Sequence, residues 1–228
     1  MNTHEYIAEI THDLRTPLTS IKGYLQLLDR TPLTETQQNY VSVVREKADR
    51  IQELINDFHA LSYWTSESAM PAFARIGLCE ILTDCFFGAE RALKMRGIEP
   101  EADFPAAPVY VWADEDLLAR TIQNLIANAV RHGERYLRVL VEVEPEPEPL
   151  PDKGRVRVVF ENGLPCGAAP DPEKVFRRFY SEDASRSERR SGLGLAIAKT
   201  FVEKMEGDIR AEVAGDRFAV VLRLRKIA

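Results

Sequence analysis

Apolar residues recur at Ile7, Ile10, Leu14, Leu18, Ile21, Leu25 and Leu28, the three-and-four spacing of one helical face. The pattern predicts a helix over residues 3–30. Pro17 lies inside it, and its missing N–H and crowding ring predict a local bend just after His12. Thr31-Pro32-Leu33-Thr34 breaks the pattern, and a second helix is expected to run to residue 64. Its apolar positions Val41, Val44, Ala48, Ile51, Ile55 and Phe58 keep a heptad-like spacing, with charges such as Glu46, Lys47 and Arg50 between them. Two helices with one wide apolar stripe each cannot close a core alone. A second copy of the hairpin would complete a four-helix bundle, so a homodimer through residues 3–64 is expected; the alternative is that the stripe packs on the rest of the same chain.

Periodicity is lost over residues 66–74, where Pro71 sits, and this stretch reads as a hinge. The expected division is therefore 1–66, a hinge at 67–74, and a second domain over 75–228. That second part alternates helix-like and strand-like segments. Helices are expected over 77–95, ended by Gly97, over 114–132 with Asp114 as N-cap, and over 193–205. Strands are expected over 98–104, 109–113, 136–143 and 155–160, with a hairpin of 208–213 and 218–224 turning at Gly215-Asp216. The Pro/Glu run over residues 144–149 can only be a solvated loop. The fold class is thus a helical hairpin followed by an α/β domain with helices on one face of a mixed sheet.

Composition narrows the partners. With 45% hydrophobic and 29% charged residues and a formal charge of −6, the 228-residue chain reads as globular, with no electrostatic reason to bind nucleic acid. Three cysteines, Cys79, Cys85 and Cys166, have neither metal-ligand spacing nor an even count for disulfides, and point to a reducing cytoplasm. No apolar run reaches the ~18 residues of a membrane span, so any membrane anchor is expected outside this chain.

Four stretches carry candidate chemistry. In the first helix, His12-Asp13-Leu14-Arg15-Thr16-Pro17-Leu18 places an imidazole, a carboxylate and a hydroxyl together. At 100° per residue the apolar face lies roughly 160° from His12, which directs the imidazole to solvent with Thr16 one turn along on the same side. In the fourth predicted helix, Asn124, Asn128 and His132 share one side, away from Leu118, Ile122, Leu125, Ile126 and Ala129. Asparagine is a poor helix former, and two stacked amides suit a Mg²⁺ ion held mainly by phosphates and water, with Arg131 near the same charge.

Gly192-Leu193-Gly194-Leu195 opens an amphipathic helix, either as a simple entry turn or as an anion site of free N–H groups. Residues 181–190 before it are polar and carry Arg186, Arg189 and Arg190, the composition of a lid over a polyphosphate or of a plain surface loop. Val175-Phe176-Arg177-Arg178-Phe179-Tyr180 mixes aromatic and basic residues. Phe176 and Phe179 are expected to anchor the lid to the core, with Arg178 as a phosphate contact.

In this order and spacing, the motifs resemble the cytoplasmic kinase core of bacterial sensor histidine kinases, over residues 3–226. His12 to Leu18 is similar to the family's phosphoacceptor box, Asn124 to His132 to its N box, Val175 to Tyr180 to its F box, and Gly192 to Leu195 to its second glycine box. The resemblance implies a dimerisation and phosphotransfer domain joined to a GHKL-type α/β sandwich that binds ATP. It implies phosphorylation of His12, orientation of its imidazole by Asp13, Mg²⁺ binding by Asn128 and support of metal and phosphates by Asn124. Arg131 stands where the family usually has lysine, and His132 where an aromatic residue packs near adenine. Gly192, Gly194 and Leu195 would line the phosphates.

The first glycine box departs from the family pattern, which has an aspartate for the adenine amino group. Here the stretch reads Phe160-Glu161-Asn162-Gly163-Leu164-Pro165-Cys166-Gly167, and either Glu161 or Asn162 could stand in. Ser181 likewise stands where many relatives carry an arginine.

A neutral imidazole is a good nucleophile near neutral pH, and a carboxylate holding its other nitrogen's proton stabilises the developing charge. The leading expectation is ATP-dependent autophosphorylation on His12 and transfer to an aspartate of a response-regulator receiver domain, with Thr16 serving dephosphorylation of that regulator. The alternatives are a degenerate kinase acting as a phosphatase or dimeric scaffold, prompted by the altered glycine box, and an ATPase of another GHKL family.

Overall fold

The computed structural model describes residues 3–66, 68–144, 154–180 and 192–227, with side chains from residue 10 onward except that of His12. The Pro/Glu run beyond Glu144 and the expected lid over 181–190 lie outside the described residues. Along the described chain the division into two compact units falls between Ala69 and Met70.

The first unit is a hairpin of α1 (Thr3–Leu28) and α2 (Glu35–Thr65). α1 runs unbroken through Pro17. α2 starts on a reciprocal cap: the Thr34 N–H donates to Gln37 Oε1 at 2.9 Å, and the Gln37 N–H donates to Thr34 Oγ1 at 3.4 Å. The apolar positions of the two helices split into two sets. Leu18 and Leu25 of α1 pack with Ala48 and Ile55 of α2, with Val41 beside them, at seven-residue steps. Leu14, Ile21 and Leu28, and Val44, Ile51 and Phe58, repeat at the same step, yet each is more than a third exposed. The hairpin thus buries half of its heptad and leaves the other half bare. Lys22 pairs with Asp49 at 2.8 Å across the helices, and Arg45 with Asp29.

The described strands of the second unit form a seven-stranded mixed sheet in the order β1-β3-β7-β5-β4-β2, with β6 also on β7. The strands are β1 (Ala74–Gly77), β2 (Glu99–Asp103), β3 (Tyr110–Ala113), β4 (Glu134–Val143), β5 (Arg155–Gly163), β6 (Asp208–Ala214) and β7 (Arg217–Ile227). Among the described strands, only β2 and β4 run parallel. One side of β7 pairs with β5 along its length; the other pairs with β6 as far as Arg223 and then with β3 at Lys226 and Ile227. The edge strand β2, Glu-Pro-Glu-Ala-Asp, carries the proline and acidic charges that discourage pairing with another chain.

Helices α3 (Leu78–Met95), α4 (Glu115–His132) and α5 (Gly194–Lys204) pack in sequence on one another and on the sheet. Their partners are the alternating side chains Val156, Val158 and Phe160 of β5 and Phe218, Val220, Leu222 and Leu224 of β7, all buried. The opposite sheet face carries ion pairs, Arg138 with Glu101 at 2.7 Å, Arg157 with Glu142 and Arg223 with Glu144 at 2.9 Å, around a small apolar island of Leu140, Val159, Ala219 and Val221. This is the expected helix layer on a mixed sheet. The short strand β1 was not expected, since residues 66–74 read as hinge and 77 onward as helix.

Candidate functional site

α4 is the organising element of the second unit's site. Asp114 caps it, its Oδ1 accepting the Leu117 N–H at 3.0 Å. At its far end Arg96 Nε donates to the Val130 carbonyl at 3.1 Å, and Gly133 closes the helix on the Ala129 carbonyl at 2.7 Å. Leu118, Ile122, Leu125, Ile126 and Ala129 are all buried, which fixes the rotation of the helix. Asn124, Asn128 and Arg131 are half-buried along its flank, and His132 is exposed.

Three other stretches adjoin this helix or the start of α5. α5 begins at Gly194, and a methyl group added there would sit 3.6 Å from Asn124 Oδ1, so the start of α5 abuts the first of the stacked asparagines. Its N-cap residue is Leu193, whose side chain makes no capping hydrogen bond. Its first N–H groups therefore lie next to Asn124 with the positive end of the helix dipole behind them, an arrangement suited to phosphate.

Gly192 adopts φ +60, and a Cβ there would come within 2.9 Å of the backbone of Phe179 and of the Tyr180 carbonyl. The Phe179 N–H donates to the Gly192 carbonyl at 3.1 Å. This junction ties the Phe-Arg segment to the start of α5 and admits only glycine at 192.

Phe179 itself is a correction to the expected anchor. It holds φ +62 and its ring is 65% exposed, because the constraint acts on its backbone and turns the side chain outward. Val175 is the buried member, and Phe176 is half-buried with the Lys199 ammonium 5.7 Å from its ring centroid. Arg178 is exposed. Ahead of it, Lys174 pairs with Asp171 at 2.6 Å and holds that carboxyl below its usual range, while the Asp171 N–H donates to the Tyr180 hydroxyl at 3.4 Å.

The two candidates in the altered glycine box part company at the end of β5. Asn162 continues the inward series Val156, Val158, Phe160; it is 3% exposed and lies against Gly133, where an added Cβ would meet its side chain at 3.1 Å. Its Nδ2 donates to the Gly163 carbonyl at 2.9 Å, which fixes the orientation of the amide and so of its acceptor Oδ1. Glu161 points to the opposite sheet face. There the Tyr136 hydroxyl donates to its Oε1 at 3.0 Å and Arg217 lies 3.8 Å from Oε2. Burial, and then this hydrogen bond, push the Tyr136 phenol above its ordinary range.

In the first unit, His12 and Asp13 lie in the second half-turn after Ile10 on α1, and Asp13 and Thr16 are exposed. The side chain of His12 lies outside the described residues. The Thr16 carbonyl accepts the Ser20 hydroxyl at 3.3 Å and the Arg15 carbonyl that of Thr19 at 2.9 Å, back-bonds that flank the turn at Pro17.

Residues 4–67 match the family of His kinase A (phospho-acceptor) domains, and residues 113–226 match the histidine kinase-, DNA gyrase B- and HSP90-like ATPases. The chain belongs to the sensor histidine kinases. This kinase is 27% identical over 226 residues to the sensor histidine kinase YcbM of Bacillus subtilis, covering 97% of its own length and 71% of that protein. It is 29% identical to the sensor protein kinase WalK of Staphylococcus epidermidis, of which it spans 36%. Among solved structures, full-length ShkA in complex with AMPPNP is similar over the whole kinase chain and 47% of its own, with TM-score 0.80 and 27% identity. The histidine kinase AdeS of Acinetobacter baumannii shares the fold at TM-score 0.66 and 21% identity, over 95% of this chain and 98% of that one. Among the described residues no helix is long and apolar enough to cross a membrane.

Proposed function

We propose that the chain binds Mg-ATP on α4, phosphorylates His12, and passes the phosphoryl group to an aspartate on the receiver domain of a response regulator. The observation that carries this reading is the pair of contacts on α4, Asn124 with Gly194 and Gly133 with Asn162, together with the junction of Gly192 with Phe179 and Tyr180 ahead of α5. The start of α5 thus lies beside the first of two half-buried amides, with the Phe-Arg segment tied to it and the end of β5 against the close of α4. That ShkA is solved with AMPPNP supports the same choice of ligand.

Among the described residues no three His, Cys, Asp or Glu side chains cluster as a metal site. The donor set at α4 is neutral amide oxygen, which fits a Mg²⁺ ion held mostly by phosphate oxygens, with Asn128 as its protein ligand and Asn124 in support. When bound, the ion neutralises charge on the phosphates. Asn162 Oδ1 accepts from the adenine amino group. Arg131, Arg178 and the N–H groups at Gly192, Gly194 and Leu195 hold phosphates, and His132 flanks the base.

At His12 a neutral ring nitrogen attacks the γ-phosphorus, the bond to the β-phosphate oxygen breaks, and ADP leaves. Asp13 accepts the hydrogen bond of the other ring nitrogen and stabilises the charge that forms. The bare heptad positions Leu14, Ile21, Leu28, Val44, Ile51 and Phe58 support dimerisation of the hairpin over residues 3–64 as a four-helix bundle. A cytoplasmic site of action, attached to a membrane if at all by segments outside this chain, fits the free thiols.

Incubation with Mg-ATP should yield acid-labile, base-stable phosphate on the protein. His12→Gln should abolish it while leaving the circular dichroism spectrum and ATP binding unchanged. Phosphate retained in that variant, or none formed by the wild type, would count against the reading.

A further inference from the structure

Asp114 engages two elements with one carboxylate. Oδ1 accepts the Leu117 N–H and caps α4, while Oδ2 accepts the Ala72 N–H at 2.7 Å, two residues ahead of β1. The residue is 7% exposed, so both bonds are sheltered from water. The segment that follows Ala72 is attached to β3. β1 is a four-residue edge strand on β3, in register from Ala74 with Ala113 to Gly77 with Tyr110. Phe73 stacks on Trp112, ring centroids 6.2 Å apart and planes 7° from parallel, and the Arg75 guanidinium lies 3.3 Å over the Tyr110 ring. Tyr110 and Trp112 share one face of β3, and β3 runs directly into Asp114. The entering segment is therefore fastened to the strand and to the single side chain from which α4 starts.

We propose that Asp114 is a positioning residue for the nucleotide site: attachment of residues 72–77 to the sheet edge and the seating of α4 share its carboxylate, so that nucleotide binding and attachment favour each other. The inference rests on reading α4 as the nucleotide helix. Coupling of this kind is reciprocal, so ADP on α4 tightens the hold on Ala72, and release of Ala72 weakens ADP binding by the same factor.

Asp114→Asn separates the two bonds. Asparagine caps helices about as well as aspartate but keeps one acceptor oxygen, and its amide nitrogen would face the Ala72 N–H donor to donor. Amide hydrogen exchange on the whole chain, with and without Mg-ADP, reads the outcome. In the wild type, ADP should slow exchange at Ala72 about threefold or more. In Asp114→Asn, Ala72 should exchange about tenfold faster without nucleotide and no longer respond to ADP, while Leu117 keeps its protection and the ADP Kd rises about threefold. Phe73→Ala loosens the same segment at its stacking contact and leaves Asp114 in place; it should raise the ADP Kd similarly, which a role in helix capping alone would not produce. Unchanged protection of Ala72 in Asp114→Asn, or a response to ADP retained there, overturns the proposal. Failure of ADP to bind the wild type would overturn the kinase reading and the coupling with it, whereas normal ADP binding with an indifferent Ala72 would overturn the coupling alone.

Discussion

Gly194 lies against Asn124: a methyl group at position 194 would stand in ordinary contact, 3.6 Å from the amide oxygen, and anything larger would press on it. The first turn of α5 and the amide flank of α4 are thus packed to within one carbon atom of each other.

Gly194→Ala should therefore bind Mg-ADP within about twofold of the wild type, and Gly194→Val should lose about tenfold, near 1.4 kcal/mol, with little change in melting temperature. Calorimetric titration of the three proteins checks this; equal affinities would mean that the phosphates bind away from this junction.

Adenine recognition should follow the sheet face. Asn162→Ala should weaken ATP binding by at least about tenfold, losing a hydrogen bond worth roughly 1–1.5 kcal/mol together with buried packing, and Asn162→Asp should restore most of it. Glu161→Gln should leave nucleotide affinity unaltered, since its carboxylate is engaged with Tyr136 and Arg217 on the far side. Loss of ATP binding in Glu161→Gln alone would reverse the assignment.

The inward face of β5 could have been traced by counting back in twos from Asn162 to Val156. It was obscured because Val159, on the opposite face, is apolar too and belongs to the island around Val221. Long periodic helices were legible for the opposite reason, because α1, α2 and α4 repeat their apolar spacing over several turns. β1 was not legible: Ala74-Arg75-Ile76-Gly77 has one buried side chain, and its partner lies more than thirty residues away on β3. Nor could spacing alone tell that the heptad divides into a buried half and a bare half, or that Phe179 would be held by its backbone with its ring turned out.

That division of the heptad gives a two-way test. Leu25→Ala should cost the hairpin about 2–5 kcal/mol, by the usual penalty for emptying a core leucine site. Ile51→Glu should leave helicity nearly intact and convert the dimer to monomer in analytical ultracentrifugation. A dimer that survives Ile51→Glu would place the interface elsewhere.

Thr16→Ala should slow dephosphorylation of the partner regulator about tenfold or more while sparing autophosphorylation, because an exposed hydroxyl one turn from His12 can hold a water beside a docked receiver. Measuring both rates in one preparation decides, and equal losses would reduce Thr16 to a residue that eases α1 past Pro17.

The thiols should react in order of shelter. Burial raises the pKa of Cys79 and Cys85, with Glu80 and Asp84 adding to it, so less thiolate is present near neutral pH and alkylation of both sets in at higher pH than for a free thiol. Cys166 is exposed and should be labelled first by iodoacetamide at pH 8, with Cys85 last. Mass mapping of labelled peptides over time checks the order; labelling of Cys85 as fast as Cys166 would contradict it.

β7 holds three neighbours at once, β5 on one side and β6 followed by β3 on the other. A ribosome making this chain releases α1 and α2 long before that strand. At about 5–20 residues per second, roughly eight to thirty seconds pass between the emergence of the hairpin and that of β7. Through that interval β3 and β5 lack their shared partner, and the sheet that seats α4 cannot close. A nascent chain would present its phosphoacceptor helix, and could find a second copy of it on a neighbouring ribosome, before any nucleotide site exists to act on the histidine.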